Sequence, residues 1–271
     1  MKSKIGIIAV LAVVFALSGC GEYQQVQKSK DPEYKYQMAL QYLNDRKYSR
    51  AQSLLEDVSS YYKGTERSQD VLIYLSRAYM GMKDYSSAAQ YYQAYIRNYP
   101  KGKYIMEARY QVGHCYYLDS PDARLDQDKT YQSIKFFTEF VELYPDSPHT
   151  AQAYKELNEM YDKLAYKELL NAKLYYNLGT YLGNNYLSAE LVAENALQDY
   201  PSNSYVEEFS WIILQAKYQQ AVNSTEDKLH ERARDAIDEC YNFTTEFPSS
   251  KHINGTKKIL KEMRAITKDI D

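Results

Sequence analysis

The chain has 271 residues, of which 45% are apolar, so it is long enough to bury a substantial core as one large domain or a continuous solenoid. Its 33 basic and 36 acidic residues give a formal net charge of −3, which is not the basic footprint of a nucleic-acid-binding protein. Only 10 glycines and 7 prolines argue against a loop-rich β protein or a disordered chain, whereas 31 tyrosines are a strong enrichment.

The N-terminus is typical of an export signal. Lys2 and Lys4 precede an apolar run at residues 5–17, which is too short to span a bilayer comfortably. The tetrapeptide LSGC follows at residues 17–20 and resembles the bacterial lipobox. This resemblance implies that residues 1–19 are a signal peptide and that Cys20 is cleaved free and lipidated. An ordinary signal peptide with a chance Cys is the alternative.

Residues 20–31 are polar and are predicted to form a short, extended tether. Gly21 rather than Asp follows Cys20, so nothing resembles an inner-membrane retention signal, and no acidic cluster hints at export to the cell surface. The expected location is therefore the outer membrane of a diderm bacterium, with a lipid anchor and the protein on the periplasmic face. The folded body is expected to occupy residues 32–271.

Helices are predicted from the start of this body. Asp31 and Pro32 are a typical helix cap and first helical residue. The first hairpin is predicted from about residue 33 to residue 64, with a tight turn at residues 44–45. The second contains the stretch DYSSAAQYYQAYIRNYPKG at residues 84–102, in which Asp84 caps a helix that a Tyr-Pro turn ends. Apolar residues three and four positions apart form one stripe on each helix.

A fixed pattern then recurs along the chain. An aromatic residue followed by Pro ends a helix, and a small residue lies twelve positions before each of these prolines. The pairs are Tyr99-Pro100, Tyr144-Pro145, Tyr200-Pro201 and Phe247-Pro248, and the small residues are Ala88, Ser133, Ala189 and Ala236. Copies spaced by roughly 45 to 55 residues are typical of stacked helical hairpins, which pack closely at small residues.

The later elements continue this series. The third hairpin has a longer connection, SPDARLDQDK, and Ser147-Pro148 opens the longest helical stretch, either one bent helix or two helices broken near Ala165. A final helix is expected from about residue 252 to residue 270. The pattern resembles the tetratricopeptide repeat family, although its signature Trp and Leu-Gly pairs are absent. We predict an all-α solenoid of about five tetratricopeptide-like hairpins with a C-terminal capping helix.

Signatures of chemistry are scarce. The sequence has no Gly-rich phosphate loop and no His-Glu-x-x-His, and its four histidines are scattered singly. The loop with Asp122, Asp126 and Asp128 lacks the Gly and closing Glu of a Ca²⁺ loop, which favours a solvated loop. We therefore predict a protein that is not an enzyme and has no metal and no cofactor. Cys115 and Cys240 could pair in an oxidising compartment, but free, buried thiols are favoured.

The remaining candidate for a functional feature is the surface of the protein. The first helices of such hairpins usually line the inside of the stack, where an extended peptide can bind. Aromatic and basic side chains on these helices in the early hairpins are candidate groove residues, because Tyr combines ring packing with a hydrogen-bonding hydroxyl. The candidates are Tyr34, Tyr42, Tyr74, Arg77 and Arg109. The alternative is that most of them pack between hairpins.

The lipobox, the short tether, the hairpins and the Tyr-Pro helix ends together resemble the BamD family, lipoproteins of the β-barrel assembly machine. The resemblance implies a scaffold on the periplasmic side of the outer membrane. It implies that residues 147–271 bind a BamA-like barrel subunit and that residues 33–102 receive unfolded outer-membrane proteins. No individual binding residue is carried over, since the family has no short motif for them.

Other classes stay open. One is a different periplasmic tetratricopeptide protein, such as a coordinator of cell division with the Tol-Pal system or a pilus-assembly lipoprotein. The former usually has an N-terminal coiled coil and no lipobox, and residues 22–30 are too short for one. Another is a glycan-binding helical lipoprotein, in which aromatic faces stack on sugars, although such proteins are usually much longer.

Overall fold

The computed structural model describes residues 21–268, and within that range the chain is all-α, without strands. The predicted signal peptide and Cys20 lie outside the described residues. The helices are α1 (residues 21–28), α2 (Pro32–Asn44), α3 (Tyr48–Tyr62), α4 (Arg67–Gly81), α5 (Tyr85–Asn98), α6 (Ile105–Asp119), α7 (Asp128–Leu143), α8 (Thr150–Leu178), α9 (Asn185–Asp199), α10 (Val206–Val222), α11 (Glu226–Glu246) and α12 (Ile253–Lys268). The predicted class, its five hairpins and its closing helix are confirmed.

These helices form two compact units. Residues 21–120 and 128–156 form the first unit, and residues 121–127 with the chain from residue 157 onward form the second. In the first unit each helix from α2 to α7 packs on the next one along the chain. In the second, α9 to α12 do the same. The helix α8, which the sequence left as one helix or two, is a single helix with Ala165 fully buried.

Side chains cap three hairpin helices, and two of these caps, Asp31 and Asp84, were predicted from the sequence. The Asp31 carboxylate accepts hydrogen bonds from the backbone N–H groups of Glu33 and Tyr34, at 2.9 and 3.3 Å. The Asp84 carboxylate accepts from Ser87 N at 3.1 Å, and the Asn184 side chain accepts from Leu187 N at 3.3 Å. Each satisfies an N–H group that the helix itself leaves without a partner.

The small residues twelve positions before the prolines mark the closest helix crossings. Ala88, Ser133, Ala189 and Ala236 are all fully buried. Ser133 Oγ donates to the carbonyl oxygen of Gly113 at 3.1 Å, which joins α7 directly to the backbone of α6. A Cβ atom at Gly113 would come within 2.6 Å of the Phe137 ring, so only glycine lets these helices approach so closely.

The start of the chain differs from the expected extended tether, because residues 21–28 are helical. Val26 is fully buried and joins the core cluster of α2 and α3. The Tyr23 ring lies edge-on to Tyr42, with centroids 5.9 Å apart, and the Arg50 guanidinium lies 5.2 Å from the Tyr23 centroid. Tyr23 and Val26 stand among glutamines and lysines, so the sequence pattern does not reveal this apolar stripe and predicts a polar, extended segment.

Both described cysteines are free and buried, as the sequence favoured. Burial raises the pKa of each thiol to about 12, so neither is a ready nucleophile. The Cys115 sulfur lies 3.4 Å from the Met80 sulfur, and Cys240 contacts the carbonyl oxygen of Thr256 at 3.7 Å. Across residues 21–268, no helix combines the length and the hydrophobicity needed to cross a bilayer.

Candidate functional site: a groove on the first helices

A groove of about 660 Å³ lies in the first unit, on the first helices of the first three hairpins. We call it the α2/α4/α6 groove. Its lining is Leu40, Leu43, Asn44, Tyr48, Tyr74, Arg77, Met80, Gly81, Tyr92, Glu107 and Gln111. Aliphatic, aromatic and charged groups therefore share one cavity of a size typical of ligand sites.

An ion pair crosses this groove between α4 and α6. Arg77 donates from Nε to Glu107 Oε1 at 2.8 Å and from Nη2 to Glu107 Oε2 at 2.6 Å. The guanidinium also lies 5.3 Å from the Tyr74 ring centroid and 5.4 Å from that of Tyr104. The bidentate hydrogen bond raises the pKa of Arg77, so the cation is fixed in place. The flat face of a guanidinium held in this way is pre-organised to contact a further planar group.

The groove also holds an unused hydrogen-bond acceptor. Gln111 Oε1 is buried and has no hydrogen-bond partner among the described residues. A buried acceptor without a partner costs free energy that a ligand's N–H group would recover. Tyr92 lies fully buried beside Arg77, and burial raises the pKa of its hydroxyl, so it stays neutral.

The structure brings two of the five predicted groove residues together. Tyr74 and Arg77 line the groove. Tyr42 is only 2% exposed and packs in the core with α1 and α3, so it supports the groove from behind rather than facing a ligand. Tyr34 is 43% exposed but lies outside the lining, near the start of α2.

Arg109 lies in a different place. It lines a separate pocket of about 170 Å³ with Arg97, Glu139 and the rings of Phe136 and Phe140. Arg109 Nε is buried without a hydrogen-bond partner among residues 21–268. The five predicted residues thus do not form one surface, because successive residues of an α-helix point about 100° apart around its axis.

The sequence reasoning missed the apolar floor and the acidic partner of the groove. Leu40, Leu43 and Met80 form the floor. The spacing of Leu40 and Leu43 on α2 is a signal that is visible in the sequence. Glu107 had no such signal, because its pairing with Arg77 joins two hairpins across 30 positions of sequence.

A separate polar cluster of the first unit surrounds His114. His114 Nδ1 lies 2.8 Å from the buried Glu156 carboxylate, and its ring stacks between Tyr110 and Tyr117. Burial first, and then the charge of Glu156, raises the pKa of Tyr110 to about 12. Nowhere in the described part of the chain do three His, Cys, Asp or Glu side chains come together in a way that could hold a metal ion.

The chain is similar to known proteins over more than half of its length. The family model described as "YfiO: Outer membrane lipoprotein" matches residues 28–184, which are 157 of the 271 residues. The outer membrane protein assembly factor BamD of Neisseria meningitidis serogroup A is 24% identical over 230 residues, covering 79% of this chain and 84% of that protein.

Two further relatives carry the same name. BamD of Pasteurella multocida is 24% identical over 187 residues, covering 65% of this chain and 71% of that protein. BamD of Caulobacter vibrioides is 23% identical over 176 residues, covering 64% of this chain and 58% of that protein. Because the family model spans more than half of the sequence, the chain belongs to the YfiO family of outer membrane lipoproteins.

Proposed function

We propose that this protein is a non-catalytic scaffold subunit of the outer-membrane β-barrel assembly complex. The family match carries this proposal, since relatives over most of the chain are named assembly factors of outer membrane proteins. The groove supports it, because its chemistry suits a peptide rather than a reaction. In this proposal the protein is anchored through a lipidated Cys20 on the periplasmic face of the outer membrane.

The α2/α4/α6 groove would receive unfolded outer-membrane proteins. Barrel strands alternate apolar and polar residues, so an extended segment presents an apolar side chain at every second position. The floor of Leu40, Leu43 and Met80 would take such a side chain, and the Arg77 face would contact an aromatic one. The free acceptor Gln111 Oε1 would bind a backbone N–H of the same segment.

The chain from residue 147 onward would bind a BamA-like barrel subunit. A basic and apolar surface on α12 supports a partner at this end. A shallow cavity of about 410 Å³ there is lined by Lys257, Leu260, Lys261, Arg264 and Ala265. Such a mixture suits a partner that offers carboxylates around an apolar contact.

The test is an affinity pull-down of the tagged mature protein from detergent-solubilised outer membrane, with mass spectrometry of the eluate. We expect recovery of a large barrel protein with periplasmic repeat domains. Recovery of cell-division, Tol-Pal or pilus-assembly proteins instead would contradict the assembly role while leaving the fold unchanged. Recovery of glycan-uptake components would point to the glycan-binding class.

Substrate contact is tested separately by photocrosslinking. Replacing Tyr74 with a benzophenone amino acid should give crosslinks to an unfolded outer-membrane protein, since Tyr74 lines the groove. Tyr131, which is 54% exposed on α7 and outside the groove, is the matched control and should give few. Tyr74→Ala should raise the Kd for the unfolded protein about tenfold, as loss of an aromatic contact does.

The same variant separates the two binding activities. Tyr74→Ala should still recover the barrel subunit in the pull-down, because the proposed contact with that subunit lies beyond residue 147. Equal crosslinking at positions 74 and 131 would contradict the groove assignment, whatever the pull-down recovers.

A further inference from the structure

The turn between α8 and α9 has an exposed apolar tip formed by Tyr181 and Leu182. Leu182 is 90% exposed and Tyr181 is 67% exposed, the two highest values among the large hydrophobic side chains of residues 21–268. Leu174, Leu178 and Leu187, at 56%, 39% and 43% exposed, lie on the flanking helix ends. Contiguous exposed apolar groups of this kind mark an interaction surface.

This tip is held in place by its own hydrogen bonds. Asn185 N donates to the Gly179 carbonyl oxygen at 3.0 Å, and Asn185 Nδ2 donates to the Tyr181 carbonyl oxygen at 2.7 Å. Beneath it the Tyr176 and Tyr186 rings meet edge to face, with centroids 5.5 Å apart, within the core cluster of the second unit. The apolar side chains are therefore presented by a fixed turn on a packed base.

The fold does not require a leucine at the outermost position. Leu182 has a left-handed backbone, with φ of 55°, and two earlier hairpin turns contain a residue in the same conformation. Those residues are Arg46, with φ of 58°, and Lys83, with φ of 62°. In the turns of the first two hairpins the left-handed residue has an exposed cationic side chain, whereas in the turn of the fourth hairpin it is an exposed leucine. The turn conformation therefore does not require a leucine at position 182.

The charges around the tip indicate its partner. Residues 169–189 contain one lysine, Lys173, and no acidic residue, in a chain that has 36 acids overall. Tyrosine and leucine without carboxylates form the composition that favours the interface of a lipid bilayer, where anionic headgroups repel acids and aromatic rings sit at headgroup level.

We propose that the α8–α9 turn inserts Tyr181 and Leu182 into the interface of a phospholipid bilayer, as a second membrane contact formed by the folded body. The contact fits a member of an outer membrane lipoprotein family. It is independent of substrate binding in the α2/α4/α6 groove. Together with any lipid anchor, this contact fixes which side of the second unit faces the membrane.

The test uses the full mature chain with Cys20→Ser, so that no acyl chain contributes, and vesicles of phosphatidylethanolamine and phosphatidylglycerol. Tyr181→Trp places a fluorophore at the tip, and the unsubstituted chain provides the Trp211 background. On addition of vesicles we expect the emission at position 181 to move to shorter wavelengths and to be quenched by brominated acyl chains. Tyr154→Trp, at a site 50% exposed on α8, should show neither change.

A second variant measures the contribution of the leucine. Leu182→Asn keeps a residue that tolerates the left-handed backbone, so the fold is retained, as circular dichroism will verify. It should lower the vesicle partition coefficient about tenfold. This is the loss expected when a Leu side chain that would leave water for the bilayer is replaced by a polar one. Leu125→Asn, at a loop leucine 60% exposed elsewhere in the second unit, should leave partitioning unchanged.

Unchanged emission at position 181, or equal partitioning of Leu182→Asn and its parent, would overturn the proposal. A tip that ignores vesicles but is shielded in the assembled complex would assign it to a protein partner instead. Failure of the pull-down has no bearing on either result, so the two proposals can fail separately.

Discussion

Phe137→Ala should lower the free energy of unfolding by ~3–5 kcal/mol, the usual cost of removing a fully buried phenylalanine ring. Phe137 is completely buried, and its ring fills the space that Gly113 leaves on α6. It also packs on Tyr110, with ring centroids 6.0 Å apart. Its loss would leave a cavity where α6 and α7 approach most closely, so the surrounding backbone cannot easily collapse into it.

Urea denaturation followed by circular dichroism measures this change, and hydrogen exchange locates it. The exchange rates of amides in α6 and α7 should rise most, because hairpin proteins lose stability locally as well as globally. Tyr131→Ala is the matched control, since Tyr131 lies on the same helix with 54% of its side chain exposed, and it should change stability by less than about 0.5 kcal/mol. An unchanged denaturation midpoint for Phe137→Ala would refute the placement of this ring.

The second large effect concerns location. Cys20→Ala should move the protein from the membrane fraction to the soluble periplasmic fraction after a carbonate wash. Several acyl chains, each gaining ~0.8 kcal/mol per buried CH₂, form a stable anchor that no single apolar turn can replace. The wash removes the weaker contact proposed for the α8–α9 turn.

Cell fractionation with immunoblotting gives the result, and the mass of the N-terminal peptide identifies the cleavage site. Cys115→Ala is the control, because Cys115 is a buried thiol and its loss leaves the lipobox intact. If Cys20→Ala is retained in the washed membrane and the signal is cleaved at another residue, the anchor assignment is wrong.

The sequence predicted the repeating features of this fold well, because local rules govern them. Ala88 and its counterparts could be found because a helix crossing demands a small side chain at a fixed distance from the helix end. Asp31 and Asp84 could be found because a helix start leaves N–H groups that a nearby side chain satisfies. The residues that make up each of these signals lie close together in the sequence.

The site was predicted less well, because its contacts join separate hairpins. Tyr42 and Tyr74 lie on equivalent first helices, yet α1 covers Tyr42 while Tyr74 faces the groove. Covering by α1 depends on Tyr23 and Val26, two apolar residues in a polar segment, and no local pattern reveals it. Likewise, the acid-free run at residues 169–189 is visible in the sequence, but the exposure of Leu182 follows only from the left-handed turn.

The two buried thiols have a consequence for how the chain matures. Cys115 and Cys240 belong to separate core clusters, so each is shielded only once its own hairpins have packed. Burial in the native state shields both thiols from oxidants, so they react most readily before folding. The fraction of chains carrying an oxidised Cys115 or Cys240 should therefore increase with the time that the hairpins around that cysteine stay unfolded after synthesis.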